Sequence, residues 1–503
     1  MEKLKGLKPE KVFGFFETIC RIPHGSGNTK QLSDWLADFA EERGLEHYQD
    51  ELNDIIIIKE ASAGYEQSAP VILQGHMDMV CNKVDGCAKD MSSEGLDLVV
   101  DGDVIYAEGT TLGGDDGIAV AYMLAILDDD SLQHPRVETV FTVDEETGLY
   151  GAEGIDVSPL KGRRFINIDS EDEGILTVGC AGGVSAIATL PVTREACEGK
   201  AWRLELSGFT GGHSGTEIIK GMENANKSMG RLLYELSDRA GIRLVCADGG
   251  VADNVIPTSA SAVVVTKAGD ALAEICDEFR ALIGHEYKLD RNVKLAVSEA
   301  DGADTAGSTS CGADAAGSTS GGSDTAGSML PMDEASTRRV IAYLCGTPNG
   351  IEKMTVGIDG LPQTSLSLGI VSTAEDAVEY TFCIRSSVDS ECEMLARRLQ
   401  CQAEVLGGSL RREGPYPGWE YAQESPLRDL VCEVYHDQTG KDMVIEAIHA
   451  GLECGYFAGK IPGLDCVSIG PDVRDVHTPA EKLHIGSVQR TWQLITEVLA
   501  RMK

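Results

Sequence analysis

A chain of 503 residues is long enough to build more than one hydrophobic core, and its 42% hydrophobic and 25% charged content is that of a globular protein. Against 81 acidic residues stand 43 basic ones, a net charge of −38 with no basic patch, which excludes nucleic acid and anionic membrane as partners and favours a self-repelling soluble particle. The opening stretch MEKLKGLKPEKVFGFFETICRI has neither the uninterrupted apolar core nor the small-residue cleavage site of a signal peptide, and no window reaches transmembrane length. The 15 cysteines are unevenly spaced and form no CxxC, so they read as reduced thiols and a cytoplasmic location is expected.

In chain order, residues 11–43 have helical periodicity, and Ile55–Ile58 and Val71–Leu73 are buried strands. A helix is expected over Asp115–Leu127, then strands over Val137–Val143 and Phe165–Ile168. Continuous apolar runs between helices imply a mixed, mostly parallel sheet covered on both faces. From about residue 186 the style changes. Trp202–Leu206, Ala260–Val265 and Val378–Ile384 alternate polar and apolar, as half-buried antiparallel strands do, with helices over Asn224–Ala240 and Ala271–Ile283 between them. Near Ser425 the first style returns, with a helix over Leu427–Thr439, a strand over Cys466–Ile469 and a last helix from about Gly486. The expected class is α/β: one domain made of residues 1–185 and 416–503, interrupted by an inserted α+β domain over 186–415. Residues 301–328 repeat GADTAGSTSC almost unit for unit. They lack large apolar side chains and are expected to form a flexible surface loop, their aspartates being too sparse for a calcium repeat.

Acids and histidines recur where strands end. Val71–Gln74 runs into Gly75-His76-Met77-Asp78, Val137–Val143 into Asp144-Glu145-Glu146, and Phe165–Ile168 into Asp169-Ser170-Glu171-Asp172; Gly113-Gly114-Asp115-Asp116-Gly117 opens a helix, and Cys466–Ile469 leads to Asp472, Asp475 and His477. Ligands of open α/β sheets bind at the carboxyl ends of the strands. Taken singly, each fragment has a plain reading: a surface turn at HMD, a helix N-cap pair at Asp115-Asp116, a solvated turn at Glu145-Glu146. Their conjunction does not, because so many anions at one edge need cations. Imidazole with carboxylate suits zinc, manganese or cobalt, and there are too many ligands for one tetrahedral ion, so two ions sharing a carboxylate are expected.

The segments GHMDMV, LGGDDGIA, DEETG, NIDSED, GGHSG and DVHTPAEK, in this order, resemble the M20 family of dinuclear zinc metallopeptidases. HAGLECGYF and YPGWE bring the resemblance closest to its aminoacyl-histidine dipeptidase branch (peptidase D, Xaa-His dipeptidase, M20C). The resemblance implies a catalytic domain with an inserted lid. It implies that His76 and Asp169 hold one metal, Glu146 and His477 the other, and that Asp115 bridges them, followed by a cis peptide. Asp78 would orient His76, and Glu145 would be the general base for a hydroxide shared by the metals. His213, Asn254 and Arg385 match substrate-binding positions of the lid, Arg385 for a terminal carboxylate. His449 and Glu453, four apart, would share a helix face, contacting substrate, adding ligands or merely pairing locally.

The expected activity is hydrolysis of dipeptides of the Xaa-His type, including β-alanyl-histidine. Alternatives are an amidohydrolase of N-acyl amino acids and a metal binder without catalysis; intact Asp78 and Glu145 speak against the last. The expected partners are small peptides. The size of the inserted domain calls for either two similar subdomains or a homodimer made through the lid.

Overall fold

The computed structural model describes residues 3–300 and 329–503, so the repeat at 301–328 lies outside the described residues. The chain divides into two compact units: residues up to Cys180 with Gly418–Ile448 and Leu452–Lys503, and Ala181–Pro417 with His449–Gly451.

The first unit is built on an eight-stranded mixed sheet. Its order is Glu46–Gln49, Ile55–Lys59, Val137–Thr142, Val71–His76, Arg164–Asn167, Asp465–Ser468, Ile175–Cys180, Val444–Ile448. The central four, from Val137–Thr142 to Asp465–Ser468, run parallel and therefore end at one edge. Their apolar runs make sense there: Val71–His76 and Val137–Thr142 are buried at every position, as central strands covered on both faces require. Helix Gly114–Leu127 is buried from Ile118 to Leu127. A four-stranded accessory sheet contains a hairpin, Val473–Arg474 with Lys482–His484, whose loop carries His477 and Glu481.

The helical periodicity over residues 11–43 covers two helices, not one: Glu10–Ile19 and Lys30–Glu42. Pro23, Gly25 and Gly27 interrupt it; Gly27 has φ 75°, a backbone conformation that favours glycine.

The second unit is a nine-stranded antiparallel sheet made of two copies of one plan, strand–helix–strand–strand–helix–strand. The inner copy uses Lys200–Ser207, Arg243–Gly249, Ala260–Thr266 and Lys294–Glu299, with helices Ala225–Ala240 and Gly269–Glu286. The outer copy uses Gly182–Pro191, Pro362–Thr373, Ala377–Ser386 and Ser409–Tyr416, with helices Glu334–Gly346 and Asp389–Val405. Counting each copy's strands in chain order, the sheet reads 4-1-3-2 and then 2-3-1-4, the copies meeting where Gly249 pairs with Val371. The ninth strand, Gly350–Met354, hangs on Pro362–Thr373. One core spans both copies, with Leu232, Leu236, Leu344 and Leu399 of the helices packed on Leu204, Val264, Leu368 and Phe382 of the sheet. The inner copy is thus inserted after the first strand of the outer one. Among the described residues no helix is long and apolar enough to cross a membrane.

Candidate active site

At the carboxyl edge of the first unit's sheet, Asp115 lies between two imidazoles. Its Oδ1 is 3.2 Å from His76 Nε2 and its Oδ2 is 3.2 Å from His477 Nε2. Asp169 Oδ1 approaches His76 Nε2 to 3.4 Å, and Glu146 Oε2 approaches His477 Nε2 to 2.9 Å. Ligand atoms of Asp115, Glu146 and His477 lie within 4.8 Å of one another, as do those of His76, Asp116 and Asp169, and those of His76, Glu145 and Glu146. The edge therefore offers two adjoining centres with one carboxylate facing both.

The donor chemistry fits two divalent cations. Asp78, Asp115, Asp116, Glu145, Glu146 and Asp169 converge, and among the described residues the ion pairs of this cluster are with His76 and His477, not with lysine or arginine. Glu146 Oε1 is buried without a hydrogen-bond partner. Burial pushes the Glu145 carboxyl well above its usual range, with His76 opposing and Asp169, Glu453 and Glu146 adding. Burial likewise raises Asp169, to about 6. Burial depresses His76, yet Asp169, Asp115 and Asp78 overcome it and hold the imidazole well above its normal value. A site that draws protons this strongly onto imidazoles is one in which a cation is stabilised.

Several interactions hold this geometry. His76 Nδ1 is 3.0 Å from the Asp78 carbonyl oxygen and 3.5 Å from its carboxylate, leaving Nε2 to face Asp115 and Asp169. Asp78 also takes the backbone N–H of Glu145 (3.1 Å) and of Glu146 (3.4 Å), so it organises the acidic turn as well as the imidazole. The peptide between Asp115 and Asp116 is cis, and Asp116 Oδ2 accepts the His76 backbone N–H at 3.3 Å.

Three supports are not legible in the local sequence. Glu481 accepts N–H groups from Leu112, Gly113, Gly114 and Asp115, at 2.8, 3.1, 2.8 and 3.4 Å, capping the turn that presents Asp115. Ser26 Oγ donates to Asp78 Oδ2 at 2.8 Å. Gly27 N donates to Asp144 Oδ1 at 2.6 Å, so the first acid of the turn anchors the loop between the first two helices. The available signals were slight: Glu481 belongs to the PAEK tail of the late histidine motif, and Ser26 is flanked by glycines.

The second unit holds the other predicted residues. Short strands Gly212–His213 and Val255–Ile256 pair, placing exposed Asn254 beside His213, and Ser214 N donates to the Asn254 carbonyl at 2.8 Å. His213 Nδ1 accepts the Thr216 N–H at 3.1 Å, which places the neutral ring's proton on Nε2, 3.5 Å from Arg385 Nη2. Arg385, 6% exposed, donates from Nη1 to Tyr416 Oη at 2.7 Å, and its Nε is buried without a partner. His449 Nε2 is 2.7 Å from Ser365 Oγ; burial, then Arg385 and His213, lower its pKa to about 4, so it is neutral at pH 7. A Cβ on Gly215 would collide with the His449 carbonyl and lie 2.9 Å from His213 Cε1 and 3.0 Å from Arg385 Nε. Glycine there lets the three residues pack directly against its backbone. Of the neighbouring atoms Arg385 Nε is a donor without a partner, and among the described residues no carboxylate ion-pairs with Arg385, so its guanidinium suits a carboxylate.

His449 and Glu453 do not share a helix face. The helix begins at Glu453, Leu452 before it is extended (φ −140°, ψ 154°), and the two residues belong to different units. Glu453 is instead fully buried under the strand ends, and burial pushes its carboxyl up to about 7.

The chain resembles known proteins in sequence and in fold. The family model Peptidase family M20/M25/M40 matches residues 72–501. The cytosol non-specific dipeptidase of Escherichia coli (strain K12) is 35% identical over 504 residues, covering 99% of each chain. The crystal structure of aminoacylhistidine dipeptidase from Vibrio alginolyticus superposes with a TM-score of 0.90 at 34% identity, over 99% of this chain and 98% of that one. Aminopeptidase PepT of Bacillus cereus shares the fold, with a TM-score of 0.54 at 13% identity over 99% of both chains. With its family model matched over most of its length and a full-length relative above 30% identity, the chain belongs to peptidase family M20/M25/M40.

Proposed function

We propose that this chain is a cytoplasmic dinuclear metallodipeptidase that cleaves dipeptides bearing a free terminal carboxylate, Xaa-His dipeptides among them. The observation that carries the reading is Asp115, with one oxygen toward His76 and the other toward His477. His76 and Asp169 would hold one metal, His477 and Glu146 the second, and Asp115 would serve both; zinc suits this donor set best, with manganese or cobalt as substitutes. When bound, the metals supply Lewis acidity and an acidified water.

The chain's own groups do the rest. Asp78 fixes the His76 ring and the backbone of the acidic turn. Glu145, held in the unligated role, accepts a proton from the attacking water and passes it to the leaving amine nitrogen; its raised affinity for protons suits that shuttle. Arg385 takes the substrate's carboxylate, and His213, whose Nε2 carries the proton, donates to the carbonyl oxygen as charge develops there. Neutral His449, with Asn254 at the mouth of the paired strands, contacts the substrate's remaining polar groups. The dipeptide assignment is supported by the dipeptidase relatives of Escherichia coli and Vibrio alginolyticus.

The test is an assay of purified protein on Xaa-His, β-alanyl-histidine, other dipeptides and N-acetyl amino acids, with elemental analysis. Dipeptide turnover that chelation abolishes and zinc, manganese or cobalt restores is expected. Turnover confined to N-acetyl amino acids would establish the amidohydrolase reading, and equal dipeptide turnover by metal-free protein would refute the mechanism.

A further inference from the structure

Beneath the metal-facing residues lies a second, entirely buried polar layer. Thr142, Gln74, Asn167 and Ser468 occupy four neighbouring strands of the parallel core, all at 1% exposure or less. The register sets Gln74 against Asn167 and Asn167 against Ser468. Their side chains bond in series. Ser468 Oγ donates to Asn167 Oδ1, Asn167 Nδ2 donates to Gln74 Oε1 at 2.7 Å, and Gln74 Nε2 donates to Glu453 Oε2 at 2.5 Å. Thr142 Oγ1 donates to the same Glu453 oxygen at 2.7 Å, and Ser170 Oγ joins the far end at Ser468, 2.8 Å away.

Such a layer is costly in a sheet whose other side chains are mostly apolar, and it is tolerated only when its members are satisfied. Its sense is set at one end. Glu453 Oε2 accepts, so Gln74 must turn its amide nitrogen toward it; Asn167 must then turn its nitrogen toward Gln74, and the Ser468 hydroxyl must face Asn167. The same strands continue directly into His76, into Asp169 and into Glu145 and Glu146. The other Glu453 oxygen, Oε1, is buried without a hydrogen-bond partner.

We propose that Glu453 is a positioning residue which, through the Gln74–Asn167–Ser468 chain, fixes the strand ends bearing His76, Asp169, Glu145 and Glu146 in the spacing that binds metal. The inference rests on the metal reading above. Its effect is on affinity for the ions first and on turnover through them.

The experiment measures zinc affinity of purified full-length protein by chelator competition, together with kcat, KM and melting temperature, for wild type, E453A, E453Q and S468A. Glu453→Ala should weaken zinc binding about 10–100-fold, the range typical of groups that orient metal ligands, and lower kcat while leaving KM nearly unchanged. Glu453→Gln keeps an accepting oxygen and should return zinc affinity to within about threefold of wild type. Ser468→Ala, remote from Glu453 but in the same chain of hydrogen bonds, should weaken zinc binding about 3–10-fold, and its effect should vanish in the E453A background. A melting temperature lowered in E453A with unchanged zinc affinity and kcat would make Glu453 merely structural and overturn the proposal. Should E453A fail to fold, the other two decide: loss in E453Q with none in S468A would overturn it as well. Wild-type protein that binds no zinc would overturn the metal reading itself, a result separate from any difference among variants.

Discussion

The sheet edge of the first unit and the Gly215 cluster of the second are unbalanced in opposite senses. At the edge, carboxylates gather around His76 and His477 with no lysine or arginine as ion-pair partner among the described residues. In the cluster, buried Arg385 stands with His213 and His449, and its Nη1 donates to Tyr416 Oη. Other charges pair with an opposite partner, as Arg490 does with Glu173 and Arg136 with Glu138. Burying unbalanced charge costs stability, so both sites are places where the folded chain is left to be completed by something else. On the proposed function, the first takes cations and the second an anion, which a dipeptide supplies as its terminal carboxylate.

The comparison can be broken most severely at Glu145. Substitution by Gln is expected to cut kcat about 10²–10⁴-fold while metal content, read by elemental analysis, stays near wild type; unchanged turnover would remove Glu145 as the base. Replacing Glu146 by Gln should instead deplete one metal and lower activity about 10²-fold, with partial recovery at high zinc. In the second unit, Arg385→Lys should raise KM or lower kcat/KM about 10–100-fold without changing metal content, because lysine cannot reproduce the guanidinium fork. Gly215→Ala, whose methyl would clash with the His449 carbonyl and press on His213 and Arg385, should act the same way but more weakly, about 10-fold, measured on the same dipeptides.

The smallest expected effect is thermodynamic. The folded His449 pKa of about 4 lies below its ordinary 6.5, so the unfolded chain holds the extra proton between those values. Its contribution to stability is therefore complete above pH 6.5 and is lost as pH falls toward 4, by at most about 3 kcal/mol. Urea unfolding of metal-free protein at pH 7 and pH 4.5 checks this: the His449→Gln variant should lose less stability between the two than wild type does, and an equal loss would show that His449 does not titrate in this way.

What is legible in the sequence follows from the range of the interactions concerned. The strand ends bearing His76, Glu145, Glu146 and Asp169 are readable because apolar run and acidic stop are adjacent in the chain. The alternation after residue 186 indicates antiparallel strands correctly, but not that they form two copies of one plan, since the copies share strand order and not a visible repeat. Glu481 is hidden because its partners lie 366 or more positions away. Spacing alone pairs Glu453 with His449 on one helix, although Gly451 and an extended Leu452 separate His449 from that helix. Ser26 and Gly27 sit inside a stretch of helical periodicity, where Pro23 and two glycines are the signal that breaks it. Local pattern reveals where chemistry is presented; what holds it there is long-range.

The nested arrangement of the second unit has a consequence in time. Gly182–Pro191 leaves the ribosome first, yet its partners Ala377–Ser386 and Ser409–Tyr416 come much later, Glu379 lying 190 positions after Thr189. At ordinary rates of synthesis that is a wait of roughly 10–40 s. The inner copy, all of whose strands lie between Lys200 and Glu299, can close during that interval, while the outer strand stays an open edge able to pair with the wrong partner. Faithful biogenesis of this protein therefore depends on keeping one ten-residue strand unpaired until the second half of its sheet has been made.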